Sequence, residues 1–190
     1  MNGDTDVDQL AIVDAAARGD HDAFTLLAER SADRLFATAT LILRDRSLAQ
    51  DAVQTALIHA WQDLPRLRDR SRWDAWLRRL TVNACYDEAR RRRRRPTLSL
   101  LPEHDGHVPD ASAGLADRDR LERAFARLSA QHRAAIVLHH YQGLPLAEIA
   151  DALDIPIGTA KSRLHHARLA LRSALELDDR LGRRSTGGVA

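Results

Sequence analysis

The fold is decided by residues 146 to 175: Leu146-Ala-Glu-Ile-Ala-Asp-Ala-Leu153, then Asp154-Ile155, then Pro156-Ile-Gly-Thr-Ala-Lys-Ser-Arg-Leu-His-His-Ala-Arg-Leu-Ala-Leu-Arg-Ser-Ala-Leu175. In the longer part Ile157, Ala160, Leu164, Ala167, Leu171 and Leu175 recur at steps of three and four, the spacing of one buried helical stripe. Leu146, Ile149, Ala150 and Leu153 do the same in the shorter part. Two helices around so tight a turn form a helix-turn-helix. Asp154 occupies the turn where many such motifs place Gly, and Asp tolerates left-handed backbone better than most residues. Lys161, Ser162, His165 and His166 project away from the stripe. Pro156 suits the first helical position, and Thr159 lies in the opening turn. A recognition helix offers its N-terminal residues to base edges in this way. Residues 156–175 carry Lys161, Arg163, Arg168 and Arg172 with no acid, so the face is expected to bind DNA rather than only to be solvated.

Working outward, Leu121, Ala124, Phe125 and Leu128 open the second module, Ser129 caps a helix bearing Ala134, Val137, Leu138 and Tyr141, and Gly143 closes it. Upstream, Pro96, Pro102, Gly106, Pro109 and Gly114 stand among Ser and Asp, which predicts a flexible linker over 96–117. Fully extended it would reach roughly 70 Å. The first module, 1–95, is expected to hold a short helix near 7–18 and three longer ones. The first of these follows Asp20 (Phe24, Leu27, Leu35, Ala39, Ile42) and the second follows Ser47 as cap (Val53, Ala56, Leu57, Ala60, Trp61). The last follows Ser71 (Trp73, Trp76, Leu77, Leu80, Ala84). No stretch alternates with period two, so the chain is expected to be all-α. It should form two small helical domains, 1–95 and 118–178, with a disordered tail over 179–190.

Composition excludes several classes. Of 190 residues 44% are hydrophobic, and 29 Lys and Arg stand against 27 Asp and Glu, so collagen-like, disulfide-stapled and wholly disordered chains are ruled out. The single Cys, Cys85, allows no intrachain disulfide and suggests a reducing compartment. No apolar run approaches the ~20 residues that span a bilayer. The N-terminal Asp4, Asp6 and Asp8 are unlike a basic signal peptide, and a cytoplasmic location is expected with no membrane insertion. The net charge of +2 hides a dipole: residues 1–33 carry eight acids against two Arg, whereas residues 72–95 carry nine Arg against three acids.

In that basic segment Trp73, Trp76, Arg79 and Asn83 fall within three helical turns, and six Arg follow from Arg90 to Arg95. Aromatic rings stack on unpaired bases, an amide reads a base edge and guanidinium groups hold phosphates, so the set suits single-stranded DNA. At least one of the two Trp is expected to pack inward. Two basic segments so separated suggest two contacts with a polyanion.

Two groups of residues together resemble the extracytoplasmic-function (ECF) group of sigma-70-type sigma factors. One is Asp51-Ala-Val-Gln54-Thr-Ala-Leu57 with Trp73-Asp-Ala-Trp76-Leu77-Arg-Arg-Leu80-Thr-Val-Asn83 and Asp87-Glu-Ala-Arg90. The other is Leu146-Ala-Glu148-Ile149-Ala150 with Ile155-Pro156-Ile-Gly158-Thr159-Ala-Lys161-Ser162-Arg163-Leu164-His165. The resemblance implies a sigma-2 domain that docks on core RNA polymerase and opens the promoter −10 element, and a sigma-4 domain that reads the −35 element. By it Asp51, Gln54 and Leu57 fall in the polymerase-docking helix. Trp73, Trp76, Arg79, Asn83, Arg90 and Arg91 fall on the −10 side, and Thr159, Lys161, Ser162, Arg163, His165 and His166 in the −35 helix. It also implies an anti-sigma factor as a further partner. His166 stands where the family usually has Arg, Ala160 where Val is common and Gln50 where an acid is common.

An enzyme is not expected, and neither is a cofactor or a metal. There is no phosphate-cradling Gly loop, nucleophile elbow or HExxH. His139 and His140 are adjacent and point about 100° apart on a helix. His104 and His107, with Glu103 and Asp105, lie in the linker, without a scaffold to hold a metal. The rival reading is a stand-alone helix-turn-helix regulator that never joins polymerase and needs only the second module.

Overall fold

The computed structural model describes residues 3–94 and 112–186, with side chains from 8 to 94 and from 117 to 178. Most of the expected linker, with His104 and His107, lies outside the described residues, as does the end of the expected tail. The described residues are helical, with no strand. α1 spans Gly3–Ala17, α2 His21–Leu43, α3 Arg46–Asp63 and α4 Trp73–Arg94, with short 3₁₀ turns at Leu64–Arg66 and Arg70–Arg72. After the gap come α5 (Ser112–Ala126), α6 (Ala130–Ile136), a π-turn over Val137–Tyr141, α7 (Leu146–Leu153) and α8 (Ile157–Thr186).

The helix starts follow side-chain capping. Asp20 accepts from the N–H groups of Asp22 and Ala23, both at 3.0 Å, and Ser129 Oγ accepts from His132 N at 3.2 Å. The expected cap at Ser47 is displaced. Asp45, two residues upstream, caps α3 by accepting from Leu48 N at 3.0 Å; its carboxylate presents a charged acceptor to the free N–H groups and outcompetes the hydroxyl. Ahead of α4, Asp69 accepts from Ser71 N at 3.1 Å to fold the 3₁₀ turn. Pro65 ends α3 by making that exit a 3₁₀ turn.

α2, α3 and α4 pack as a three-helix core. α3 offers it Ala49, Ala52, Val53, Ala56 and Ala60, so its backbone lies close to its neighbours. Large side chains fill the other walls: Leu27, Leu35 and Ile42 from α2, Trp73, Leu77 and Val82 from α4.

The second module does not stand apart, as a flexible tether would allow. Ala130, Ala134, Leu138, Ile149 and Leu153 join the same apolar cluster as the first module's core. α6 lies against α2 and α4, and α7 against α4. Arg133 fixes this placement: its guanidinium donates to the carbonyl of Ile42 in the last turn of α2 and to those of Ala126 and Leu128 at the end of α5. Burial, with Arg44, Arg93 and Arg92 nearby, lowers its pKa to about 10, so it remains charged at neutral pH. The π-turn closes with Gln142 N donating to Val137 O at 3.0 Å, and Gln142 Nε2 reaches Thr38 Oγ1 of α2 at 2.7 Å.

The other boundaries differ from expectation in two places. α5 starts at Ser112, inside the expected linker. α8 runs through Thr186, well past Leu175 and into the expected tail. Buried Asp178 explains why the helix continues, because Arg123 of α5 (3.1 Å) and Arg127 just after it (2.6 Å) bracket its carboxylate.

Trp73→Ala is expected to cost about 3–5 kcal/mol of unfolding free energy and Asp45→Ala about 1 kcal/mol, measured by urea denaturation. Equal effects would contradict this division between core and cap.

Candidate nucleic-acid interface and docking groove

α7, the turn and α8 have the geometry read from the sequence. Asp154 takes left-handed backbone (φ 52°) and ends α7. Ala160, Leu164 and Ala167 are buried, while Thr159, Lys161, Ser162, His165 and His166 are exposed on the opposite side. Ser162 Oγ donates to Thr159 O at 3.0 Å, which returns that hydroxyl to its own helix. Ile157, expected in the buried stripe, is 56% exposed because the helix begins before the stripe reaches the core. Pro156 caps rather than enters the helix, its carbonyl accepting from Ala160 N at 3.0 Å. Arg163 is half-buried beside Tyr86 of α4, whose phenol pKa burial pushes up to about 12 against the opposing guanidinium. His132 of α6 lies near His166 and Arg163. Burial first, then these two groups, hold its imidazole below the ordinary range.

On α4 the two Trp separate. Trp73 is 1% exposed, with its ring edge-on to Phe24 at 6.2 Å, so it is a core residue and cannot present its face to a base. Trp76 packs beside it at 5.7 Å but stays half-exposed, as do Arg79 and Asn83. The Arg run continues α4 and is partly spoken for. Arg90 pairs with Asp87, Arg91 with the buried Glu88, and Arg92 with Asp45 at 3.3 Å. Each of these three Arg remains exposed.

A third feature was only partly legible. α2 and α3 enclose an apolar groove of about 750 Å³ lined by Phe24, Phe36, Val53, Gln54, Leu57, Ile58 and Trp61, among others. Of the expected docking residues, Gln54 and Leu57 line it and Asp51 is exposed one turn earlier on α3. Phe36 and Ile58 were not singled out, and Trp61 was expected only on the helix's apolar stripe. Ile58 is 48% exposed, whereas Leu48, Leu57 and Trp61 of the same helix are half-buried. The signal in the sequence was that α3 is apolar on more than one face, with Leu57, Ile58 and Trp61 added to the alanine stripe.

No group of His, Cys, Asp and Glu among the described residues could hold a metal. Cys85 is fully buried, and desolvation raises its thiol to about 12, so it stays protonated. No described helix is long and apolar enough to cross a membrane.

An exposed helix-turn-helix, a second arginine-rich unit and an apolar groove describe a helical DNA-binding protein that also docks on another protein. Two family models match the chain: Sigma-70 region 2 over residues 27–95 and Sigma-70, region 4 over residues 118–171. The ECF RNA polymerase sigma factor SigL of Mycobacterium tuberculosis is 36% identical over 173 residues, covering 88% of this chain and 97% of that one. RNA polymerase sigma-H factor of Pseudomonas aeruginosa is 30% identical, with 87% and 92% covered. The solved structure of the sigma factor RpoE from Bartonella quintana, in complex with the anti-sigma factor NepR, superposes with TM-score 0.60 at 27% identity. It covers 82% of this chain and 98% of that one. CnrH, in complex with the cytosolic domain of CnrY, shares the fold at TM-score 0.64 and 24% identity, with 90% and 98% covered. The chain belongs to the extracytoplasmic-function sigma factors of the sigma-70 family.

Trp73→Phe should lower thermal stability with little change in affinity for single-stranded DNA. Trp76→Ala should leave stability within about 1 kcal/mol and lower that affinity by about 1–3 kcal/mol. Thermal melts and fluorescence anisotropy measure the two effects.

Proposed function

We propose that this chain is a dissociable promoter-specificity subunit: it binds core RNA polymerase, reads the −35 and −10 elements and directs transcription initiation. It carries out no reaction of its own. The observation that carries the reading is that one chain holds both DNA-facing surfaces and the α2–α3 groove, since a stand-alone regulator would have no use for the groove. We assign Asp51, Gln54 and Leu57, with Phe36 and Ile58, to polymerase docking. Thr159, Lys161, Ser162, Arg163, His165 and His166 are assigned to the duplex −35 element. A His166 imidazole offers one donor or acceptor edge where guanidinium offers a fork, so readout there is expected to be less tied to a single base.

Trp76, Arg79 and Asn83 are assigned to unstacked bases of the −10 element, and Arg90 and Arg91 to its phosphates. Trp73 supports Trp76 from the core and leaves the base-contacting set. Unstacking costs a few kcal/mol, which contacts of ~1–3 kcal/mol per captured base offset. Its place of action is the cytoplasm, where polymerase and promoter are, and an anti-sigma protein is a fitting further partner, as NepR is for RpoE of Bartonella quintana.

Run-off transcription with purified core polymerase over a genomic promoter library tests the proposal, and the absence of any new transcript would overturn it. Ile58→Asp combined with Gln54→Ala should weaken core-polymerase binding by about 10- to 100-fold, the range of a lost interface anchor. Asn83→Ala should impair promoter opening and leave duplex −35 binding within about twofold, read by permanganate footprinting and gel shift.

A further inference from the structure

Imidazoles gather on the DNA-facing side of α8. His165 and His166 are both exposed there with their rings 5.6 Å apart, and His132 comes up near His166 from α6. His166 stands where a permanent guanidinium is usual, so part of the charge on this face is conditional on a proton. The fixed charge around the rings is cationic: Arg163 acts on His132, and Lys161 and Arg168 are exposed on the same helix. Acids of the surrounding elements are engaged elsewhere. Glu148, Asp151 and Asp154, on α7 and its turn, pair with arginines on or just before α4. On α4, Asp87 and Glu88 pair along their own helix, and Tyr86, beside Arg163, keeps its proton because burial pushes its phenol to about 12. Asp178 of α8 is held by Arg123 of α5 and by Arg127. On the π-turn, His140 lies near Arg168, while His139 Nδ1 is 3.2 Å from Leu144 O.

We infer that His132, His165 and His166 make duplex binding proton-linked, each taking up a proton as DNA phosphate arrives, and that His132 is thereby a DNA-binding residue outside the recognition helix. The inference rests on the −35 assignment above. In the free chain, burial first and then His166 and Arg163 hold the His132 imidazole below its ordinary range, so it is neutral at pH 7. A phosphate placed among the rings reverses that balance, because its negative charge favours the protonated form. A group whose pKa rises on binding adds affinity that is fully present below its free value and is lost as pH rises through its bound value. Affinity for duplex DNA therefore climbs as pH falls from about 8 to about 6, the range in which imidazole changes charge. Each ring that meets a phosphate as a cation also releases a further counterion, so the salt dependence steepens with acid.

The test follows the fluorescence anisotropy of a labelled, mixed-sequence 20-base-pair duplex with the full-length chain at pH 6.0 and pH 8.0, each over a salt series. The wild-type chain should bind about tenfold tighter at pH 6.0, the effect of about one pKa unit gained on binding. Its salt slope should be steeper there by about 1–2. A variant combining His132→Gln, His165→Gln and His166→Gln should keep the pH 8.0 affinity within about twofold and lose the gain at pH 6.0. His132→Gln alone should lose about two- to threefold of that gain with the pH 8.0 affinity unchanged, whereas a merely structural His132 would weaken binding at both. His166→Arg should raise affinity at pH 8.0 and flatten the profile. His59→Gln, exposed on α3, should keep the whole profile, which separates the three rings from general titration of the chain.

Duplex binding that is equal at the two pH values overturns this inference alone, and so does a triple variant that retains the gain. An unchanged profile in His132→Gln removes that residue from the binding surface. Absence of duplex binding at both pH values overturns the −35 assignment together with the inference, so the two failures are distinguishable.

Discussion

A helix that ends inside a protein leaves carbonyl oxygens without donors, and here a single guanidinium answers that demand at two helix ends. Arg133 donates to Ile42 at the end of α2 and to Ala126 and Leu128 at the end of α5, so the same cation completes one element of each module. The positions of α6, the π-turn and α7 follow from that anchorage. Its removal would take that donor from the carbonyls of Ile42 and Leu128, both on buried residues, and a buried acceptor left unpaired costs more than the net value of the hydrogen bond itself. Both modules share one apolar cluster, and Arg133 bridges the two beside it.

Charge organises what lies around that anchor. The sequence shows an acidic segment over residues 1–33 and an arginine-dense α4, and the structure brings many of the chain's charges together. Gln9 and Arg34 both bind Asp74, Asp14 pairs with Arg70 at 3.6 Å, and Asp45 pairs with Arg92. The acids around Arg90–Arg92 hold guanidinium groups in place along α4 without covering them. Arg78, only 14% exposed, is the exception: desolvation first, then Arg34, lowers its pKa, and Glu148 compensates in part.

The readable parts of the fold were those fixed by local chemistry. Helix periodicity, the left-handed turn at Asp154, the helix start after Asp20 and the cap at Ser129 each depend on residues within a few positions of one another. The errors lay where distant or competing partners decide. Ser47 lost to Asp45 because two good acceptors stood two residues apart. α8 outran Leu175 because Asp178 finds its partners on and just after α5, far away in sequence. Trp73 and Trp76 could not be told apart by spacing alone, since it is Phe24 that claims the first for the core. The groove was half legible for the same reason: α3 announced Gln54 and Leu57, but Phe36 comes from another helix.

The π-turn over Val137–Tyr141 has a consequence for the ancestry of the fold. One residue more than an α-helix can hold is absorbed there, and Gln142 donates five residues back, to Val137. Excising a single position would turn everything downstream by about 100° around the helix axis. Gln142 would swing away from Thr38, and the helix-turn-helix would dock in another azimuth. Length in this short segment is thus under tighter constraint than residue identity, and indels should be rarer here than in any neighbouring loop.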